Sequence, residues 1–244
     1  MKLTIYPDKI KMGDEAARCA SEQLQQSILS RGEANLILAT GASQFEMLQS
    51  LVMREVNWSK VNVFHLDEYI GLPITHPASF RKYLMERFEQ KLPGLRKFNY
   101  VNGETDPGAE CQRLGKLISS KPIDVACIGI GENGHLAFND PPADYETDEP
   151  FLIVNLDEAC RKQQVGEGWF ASLAEVPRQA ISMSIMQIMK SKAIICTVPD
   201  ARKAEAVKNT VEGPVTNRVP ASILQMHPHC WLFLDEPAAG KLNK

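Results

Sequence analysis

Four short apolar runs constrain this chain more than anything else in it. They are residues 35–39 (NLILA), 61–66 (VNVFHL), 123–130 (IDVACIGI) and 193–198 (AIICTV). Continuous apolar runs of this length, rich in aliphatic and β-branched residues, suit strands buried on both faces of a sheet. Residues 3–6, 180–183 and 231–234 read as further strands, and 98–101 as an edge segment. Helical apolar spacing fills the intervals, as in Ala16, Ala17, Ala20, Leu24 and Ile28. The alternation carries no internal repeat, heptad or low-complexity linker. It predicts an α/β fold: one three-layer αβα domain over residues 1–244 with a mostly parallel sheet. In such sheets ligands gather at the carboxyl ends of the strands, so the turns that follow the runs hold the functional candidates.

Local signals sharpen the expectation. Asp14 is read as the cap of the first helix and Gly32 as its end. Residues 78–88 read as a helix, Pro107 opens another, and 151–156 form an outer strand. The stretch 161–170 (RKQQVGEGWF) is too rich in glycine for a helix throughout and is expected to be a mobile flap.

Composition excludes several classes of function. With 27 Lys+Arg against 30 Asp+Glu the net charge is −3, so no basic excess points to nucleic acid. No run approaches the roughly 18 apolar residues of a membrane span, and the N-terminus lacks a continuous apolar region. A soluble, cytoplasmic protein is expected. The six cysteines are scattered and form no Cys-x-x-Cys pair, so they read as reduced, mostly buried thiols, with neither a metal site nor a disulfide framework expected.

The richest stretch is 127–141, CIGIGENGHLAFNDP. A buried strand runs into Gly129, Gly131 and Gly134, which let backbone N–H groups approach a ligand, and His135, Asn139 and Asp140 follow within six residues. The plainer alternative is a glycine turn with a surface histidine. A dinucleotide site does not fit, because its glycines must open a helix and Pro141 and Pro142 interrupt the chain first. Upstream, Thr40-Gly41-Ala42-Ser43 joins a strand to a helix, the arrangement in which free N–H groups and the helix dipole favour an anion. Asp67 and Glu68 close the run 61–66. Neighbouring side chains of a strand alternate, so one of the two acids can enter the crevice. Lys203 stands in the first turn of a late helix, where its charge opposes the dipole unless an anion binds.

Gly134-His135, Phe138-Asn139-Asp140-Pro141 and the tract LDEYIGLPITHPASFRKYL closely resemble, in order and spacing, the signature of the glucosamine-6-phosphate isomerase/deaminase and 6-phosphogluconolactonase superfamily. The resemblance spans residues 36–237 and implies a Rossmann-like fold. It implies that Thr40, Gly41, Ala42, Ser43 and Lys203 hold a sugar phosphate, that Asp67 transfers the proton, and that His135 assists ring opening. Glu68 and Gly134 are carried as substrate-binding candidates, and Arg161 or Arg178 as the arginine of the phosphate site. Asn133 and Asp140 stand where deaminases commonly have aspartate and glutamate. Asn133 can orient an imidazole by hydrogen bonding, but it supplies no charge.

The implied activity is deamination and isomerisation of an amino-sugar 6-phosphate without cofactor or metal, the partner being a small-molecule sugar phosphate. Neither nucleic acid nor membrane is implied, and a homo-oligomer is left open. Two alternatives stand beside it: a 6-phosphogluconolactonase and a non-catalytic sugar-phosphate sensor. Lactonases usually continue Gly-His with Ala-Ser-Leu-Phe-Pro, which His135-Leu136-Ala137-Phe138-Asn139 does not match. A sensor domain of a transcription regulator would bring a helix-turn-helix, of which there is no sign.

Overall fold

The computed structural model describes residues 1–243. In chain order the elements are β1 (Lys2–Tyr6), α1 (Lys9–Arg31), β2 (Ala34–Leu38), α2 (Phe45–Leu51), β3 (Val61–His65), β4 (Asp67–Tyr69), α3 (Phe80–Arg87), β5 (Lys97–Asn99), α4 (Pro107–Ser119), β6 (Val125–Ile128), β7 (Phe151–Asn155), α5 (Glu158–Gly166), β8 (Gln179–Met183), α6 (Ile185–Met189), β9 (Ala193–Val198), α7 (Ala204–Glu212) and β10 (Cys230–Asp235). Seven strands form a parallel sheet in the order β1-β10-β9-β6-β2-β3-β5.

Alternation within the buried strands sorts side chains to the two faces of this sheet. Leu36, Leu38, Val63, Val125 and Cys127 pack with α1, α2 and α3 through Ala16, Ala20, Leu24, Leu48 and Leu84. Ile37, Phe64, Ala126, Ile194 and Leu232 pack on the other side with Leu114 and Ile118 of α4, Ile188 of α6 and Val207 of α7. The expected three-layer αβα fold with a mostly parallel sheet is thus present. No helix among the described residues is long and apolar enough to cross a membrane.

A second, three-stranded antiparallel sheet, β4-β8-β7, was not foreseen. The Asp67-Glu68 segment is not simply the end of the run before it. After β3 the chain switches sheets, and Asp67, Glu68 and Tyr69 pair with Ser182, Ile181 and Ala180. A three-residue strand is too short to show a period, and its partner lies more than a hundred residues away.

Two local expectations are corrected. Asp8 caps α1, accepting from Lys11 N at 2.8 Å, whereas Asp14 lies inside the helix and accepts from Ser50 Oγ at 2.7 Å. The helix begins earlier because Lys9 and Lys11 break the apolar spacing without breaking the backbone. The stretch 161–170 is not an open flap. It is helical to Gly166, Gln164 accepts from Tyr69 Oη at 2.9 Å, and Trp169 packs edge-on to both Phe45 and Tyr83. Its glycines fall at and beyond the helix terminus, where they cost the helix little.

Candidate active site

One pocket at the carboxyl edge of the parallel sheet is lined by Thr40, Gly41, Ala42, Ser43, Asp67, His135 and Lys203, together with Gly129, Gly131, Gln163, Glu167 and Arg202. One end of the pocket forms where β2 turns into α2. Gly41 takes a φ of 92°, which a side chain would strain, and Ala42–Gln44 form a single 3-10 turn. Buried Gln44 pins this loop by donating to Thr197 Oγ1 of β9 at 2.9 Å and to Ile128 O of β6 at 3.3 Å. The sequence signal for that anchor was hidden, since Gln44 reads as an ordinary polar residue before a helix. Lys203 arrives from the turn after β9 and is only 6% exposed. Burial pulls its ammonium below the ordinary lysine range, with the Glu167 and Glu132 carboxylates opposing the shift.

The two acids of β4 meet opposite environments. Glu68 is fully buried and accepts from the backbone N–H groups of Tyr69, Phe80 and Arg81, from Ser79 Oγ and from Arg81 Nε, at 2.8–3.3 Å. It therefore anchors the start of α3 and does not line the pocket, which corrects its assignment as a substrate-binding residue. Asp67 lines the pocket at 6% exposure. Burial pushes its carboxyl well above the usual carboxylate range, and the neighbouring Glu68 charge adds to the effect.

The histidine is carried by a loop that the second sheet fixes. Phe138 N donates to Ser182 Oγ at 3.0 Å, and Asn139 Nδ2 donates to Leu136 O and Met183 O at 2.7 and 2.8 Å. Ser182 is also the register partner of Asp67, so a single position on β8 ties the carboxylate strand to the histidine loop. The His135 ring lies against Gly131, where an added Cβ would stand 2.2 Å from Cε1 and Nε2. That glycine is required for close approach. On the far side of the ring Nδ1 lies 3.2 Å from Asp140 Oδ1, at ion-pair distance but without hydrogen-bond alignment.

The side-chain hydrogen bonds of Asn133 go to groups other than the imidazole. Its Oδ1 accepts from His135 N at 3.1 Å, and its Nδ2 donates to Asp140 Oδ1 at 3.1 Å while facing Asp157 Oδ2 at 3.4 Å. Asn133 thus bonds both the His135 backbone and Asp140, and Asp140 is the carboxylate beside the ring. Burial pushes Asp140 up, yet His135, Asn133 and the Asp157 N–H outweigh it and hold the carboxyl below the usual range. Asn133→Asp would set a third carboxylate between Asp140 and Asp157. It is expected to destabilise the protein by about 1.5–3 kcal/mol at neutral pH, a penalty that urea titrations should show fading as the carboxylates protonate in acid. An unchanged midpoint at neutral pH would contradict this geometry.

Neither candidate arginine reaches the pocket. Arg161 Nη2 donates to Leu173 O and Val176 O at 2.5 and 3.0 Å, tying down the segment after α5, and Arg178 is exposed beside β8. Gly134 is likewise outside the lining. With φ 85° it forms the turn, donating from N to Gly131 O at 3.0 Å. The arginine at the pocket is Arg202, adjacent to Lys203 and 3.5 Å from Glu132. A pair of cations opening a helix after a buried strand was its signal in the sequence.

A strand-to-helix turn, a buried carboxylate and a histidine thus meet in one pocket at the carboxyl edge of a parallel sheet, where αβα proteins commonly bind small molecules. Residues 7–232 match the model of the family described as glucosamine-6-phosphate isomerases/6-phosphogluconolactonase, and the chain belongs to that family. It is 37% identical over 246 residues to a glucosamine-6-phosphate deaminase of Lactobacillus delbrueckii subsp. bulgaricus, and 38% identical over 245 residues to one of Streptococcus pyogenes serotype M49, each match covering all of both chains. Among solved structures, a monomeric glucosamine-6-phosphate deaminase superposes with a TM-score of 0.89 at 29% identity, covering 98% of this chain and 99% of that one.

Proposed function

We propose that the protein is a glucosamine-6-phosphate deaminase, converting its substrate to a ketose 6-phosphate and ammonia. Full-length identity to deaminases supports the reading. The observation that carries it at the site is the shared anchorage of Asp67 and the His135 loop at Ser182, facing a pocket that ends in Lys203. In this reading His135 moves the proton that opens the sugar ring, a task imidazole commonly performs as a general acid and base. Asp67 then takes the proton from C2 and returns it to C1. The aldehyde carbon is reduced as the amine carbon becomes an imine, so the step is redox-balanced within the substrate. Water hydrolyses the imine to the ketone and releases ammonia.

The dry, partly desolvated surroundings of Asp67 give a stronger base once it is ionised, and Asp140 supplies the charge that a protonated His135 needs. The Thr40–Ser43 turn and Lys203 bind the phosphate. Residues 1–244 act as one domain in this account, since the two core layers share one sheet.

Lys203→Ala tests the phosphate end. A lost phosphate contact is felt equally in the ground and transition states, so KM should rise at least about tenfold with kcat little altered, and competitive inhibition by inorganic phosphate should weaken in step. Inhibition by phosphate at the parent concentration would place Lys203 outside the site. The reaction itself is tested by measuring ammonia release from hexosamine 6-phosphates beside acid release from 6-phosphogluconolactone. Turnover of the lactone alone would overturn the reading.

A further inference from the structure

Behind the pocket, three chemically distinct ligands converge from separate segments of the chain. A ring nitrogen of His135, an Asp140 carboxylate oxygen and Cys160 Sγ all lie within 4.8 Å of one another. Cys160 is 1% exposed, in the first turn of α5, while the other two come from the loop after β6. The sequence offered no metal spacing here because the thiol enters from a helix twenty residues further on. Two observations set this cluster apart from a chance meeting of polar groups. His135 is 92% buried, and its Nδ1, 3.2 Å from Asp140 Oδ1, makes no aligned hydrogen bond. Buried polar atoms are nearly always satisfied, so an orphaned one marks a place where a ligand can supply the missing bond. In addition, Asp140 is fixed by Asn133 Nδ2 on Oδ1 and by Asp157 N on Oδ2, each at 3.1 Å, with Oδ1 also 3.2 Å from the ring Nδ1.

From this geometry we propose that His135, Asp140 and Cys160 form a reversible inhibitory site for a borderline-soft divalent cation, zinc above all. An imidazole nitrogen, a carboxylate oxygen and a thiolate together suit zinc, whereas magnesium and calcium prefer oxygen alone. Bond lengths of about 2.0–2.3 Å place ligand atoms roughly 3.5 Å apart around a tetrahedral ion, so closing the longest side of the triangle requires a movement of roughly 1 Å. Binding forms metal–nitrogen, metal–oxygen and metal–sulfur bonds. The thiol proton is lost to solvent, and the fourth position remains for water. The inhibition rests on the proposed reading of His135 as the ring-opening group: a metal on Nδ1 fixes the ring in one form and consumes the Asp140 charge. Turnover then stops while the phosphate end stays intact.

Cobalt(II) gives a readout that does not depend on activity. Titrated into the full-length protein, it should produce a thiolate-to-cobalt charge-transfer band saturating at one equivalent, and zinc should displace it. Cys160→Ser should abolish the band and raise the zinc concentration for half-inhibition at least tenfold, each variant being compared with itself in chelator-treated buffer. Cys160→Ala replaces the serine variant if that protein does not fold. Cys19→Ser and Cys111→Ser, at the two partly exposed thiols, should leave band and inhibition unchanged. A cobalt complex without the band, or a band that survives loss of Cys160, overturns the site. Stoichiometric binding with undiminished ammonia release overturns the inhibitory role and leaves the proposed deaminase activity standing. An inactive protein that still shows the band would instead count against the deaminase reading.

Discussion

Asp67→Asn is expected to lower turnover by about 10²–10⁴-fold, the usual weight of a positioned general base, while making the folded protein more stable at neutral and alkaline pH. The side chain is buried in the pocket, and its carboxyl is pushed well above the ordinary range by burial and by Glu68. A group whose folded pKa is raised contributes stability that is fully present below its unfolded pKa and is lost as pH rises through the folded one. The parent protein therefore carries an ionisation cost that grows with pH, and the asparagine, neutral throughout, does not. Its melting temperature should exceed the parent's by about 2–4 °C for each kcal/mol relieved, with the advantage shrinking towards about pH 4, where the unfolded carboxyl also takes up its proton. The same shift implies that the parent's kcat/KM rises with pH above the usual carboxylate range. A variant that keeps turnover, or a melting difference independent of pH, would remove Asp67 as a buried base.

The second large effect is expected at the adjacent residue and has the opposite sign for stability. Every group facing Glu68 is a donor: three backbone N–H groups, the Ser79 hydroxyl and Arg81 Nε. Glu68→Gln keeps the shape but turns one oxygen into a donor against donors and removes the charge opposite a nearly buried guanidinium. Losing one partner of a buried pair costs about 3–5 kcal/mol. Arg81 keeps Glu104 at 2.7 Å, but that carboxylate is 41% exposed and screened, so it compensates little. Urea denaturation should show the loss with an unchanged slope. Turnover should fall as well, because Glu68 and Asp67 share a three-residue strand. A cost below about 1 kcal/mol would mean that the donor ring is not the anchor of α3.

The contrast between these neighbours marks how far the chain could be read before folding. The parallel sheet was legible because strands buried on both faces must be apolar throughout, as residues 35–39 and 193–198 are. The glycine turn before His135 was legible because Gly131 must lack a Cβ for the ring to lie against it. The αL end of α1 at Gly32 was legible for a similar reason: such conformations admit few residues.

The surroundings of Glu68, Arg161 and Cys160 were not legible, and only the resemblance singled out Asp67 from its neighbour, because each environment depends on partners distant in sequence. Two adjacent acids look alike until β4 pairs with β8, turning one carboxylate into a ring of donors and the other into a pocket without them. Arg161 looks like a phosphate ligand until two carbonyls twelve and fifteen residues on take its guanidinium, and Arg202, although it neighbours Lys203 in sequence, reaches the pocket only through the turn after β9. Local spacing governs backbone conformation and the side of the sheet to which a residue turns. Desolvation and hydrogen-bond competition, which decide whether a charged group is an anchor or a reagent, act through space, and only the packed tertiary structure sets them.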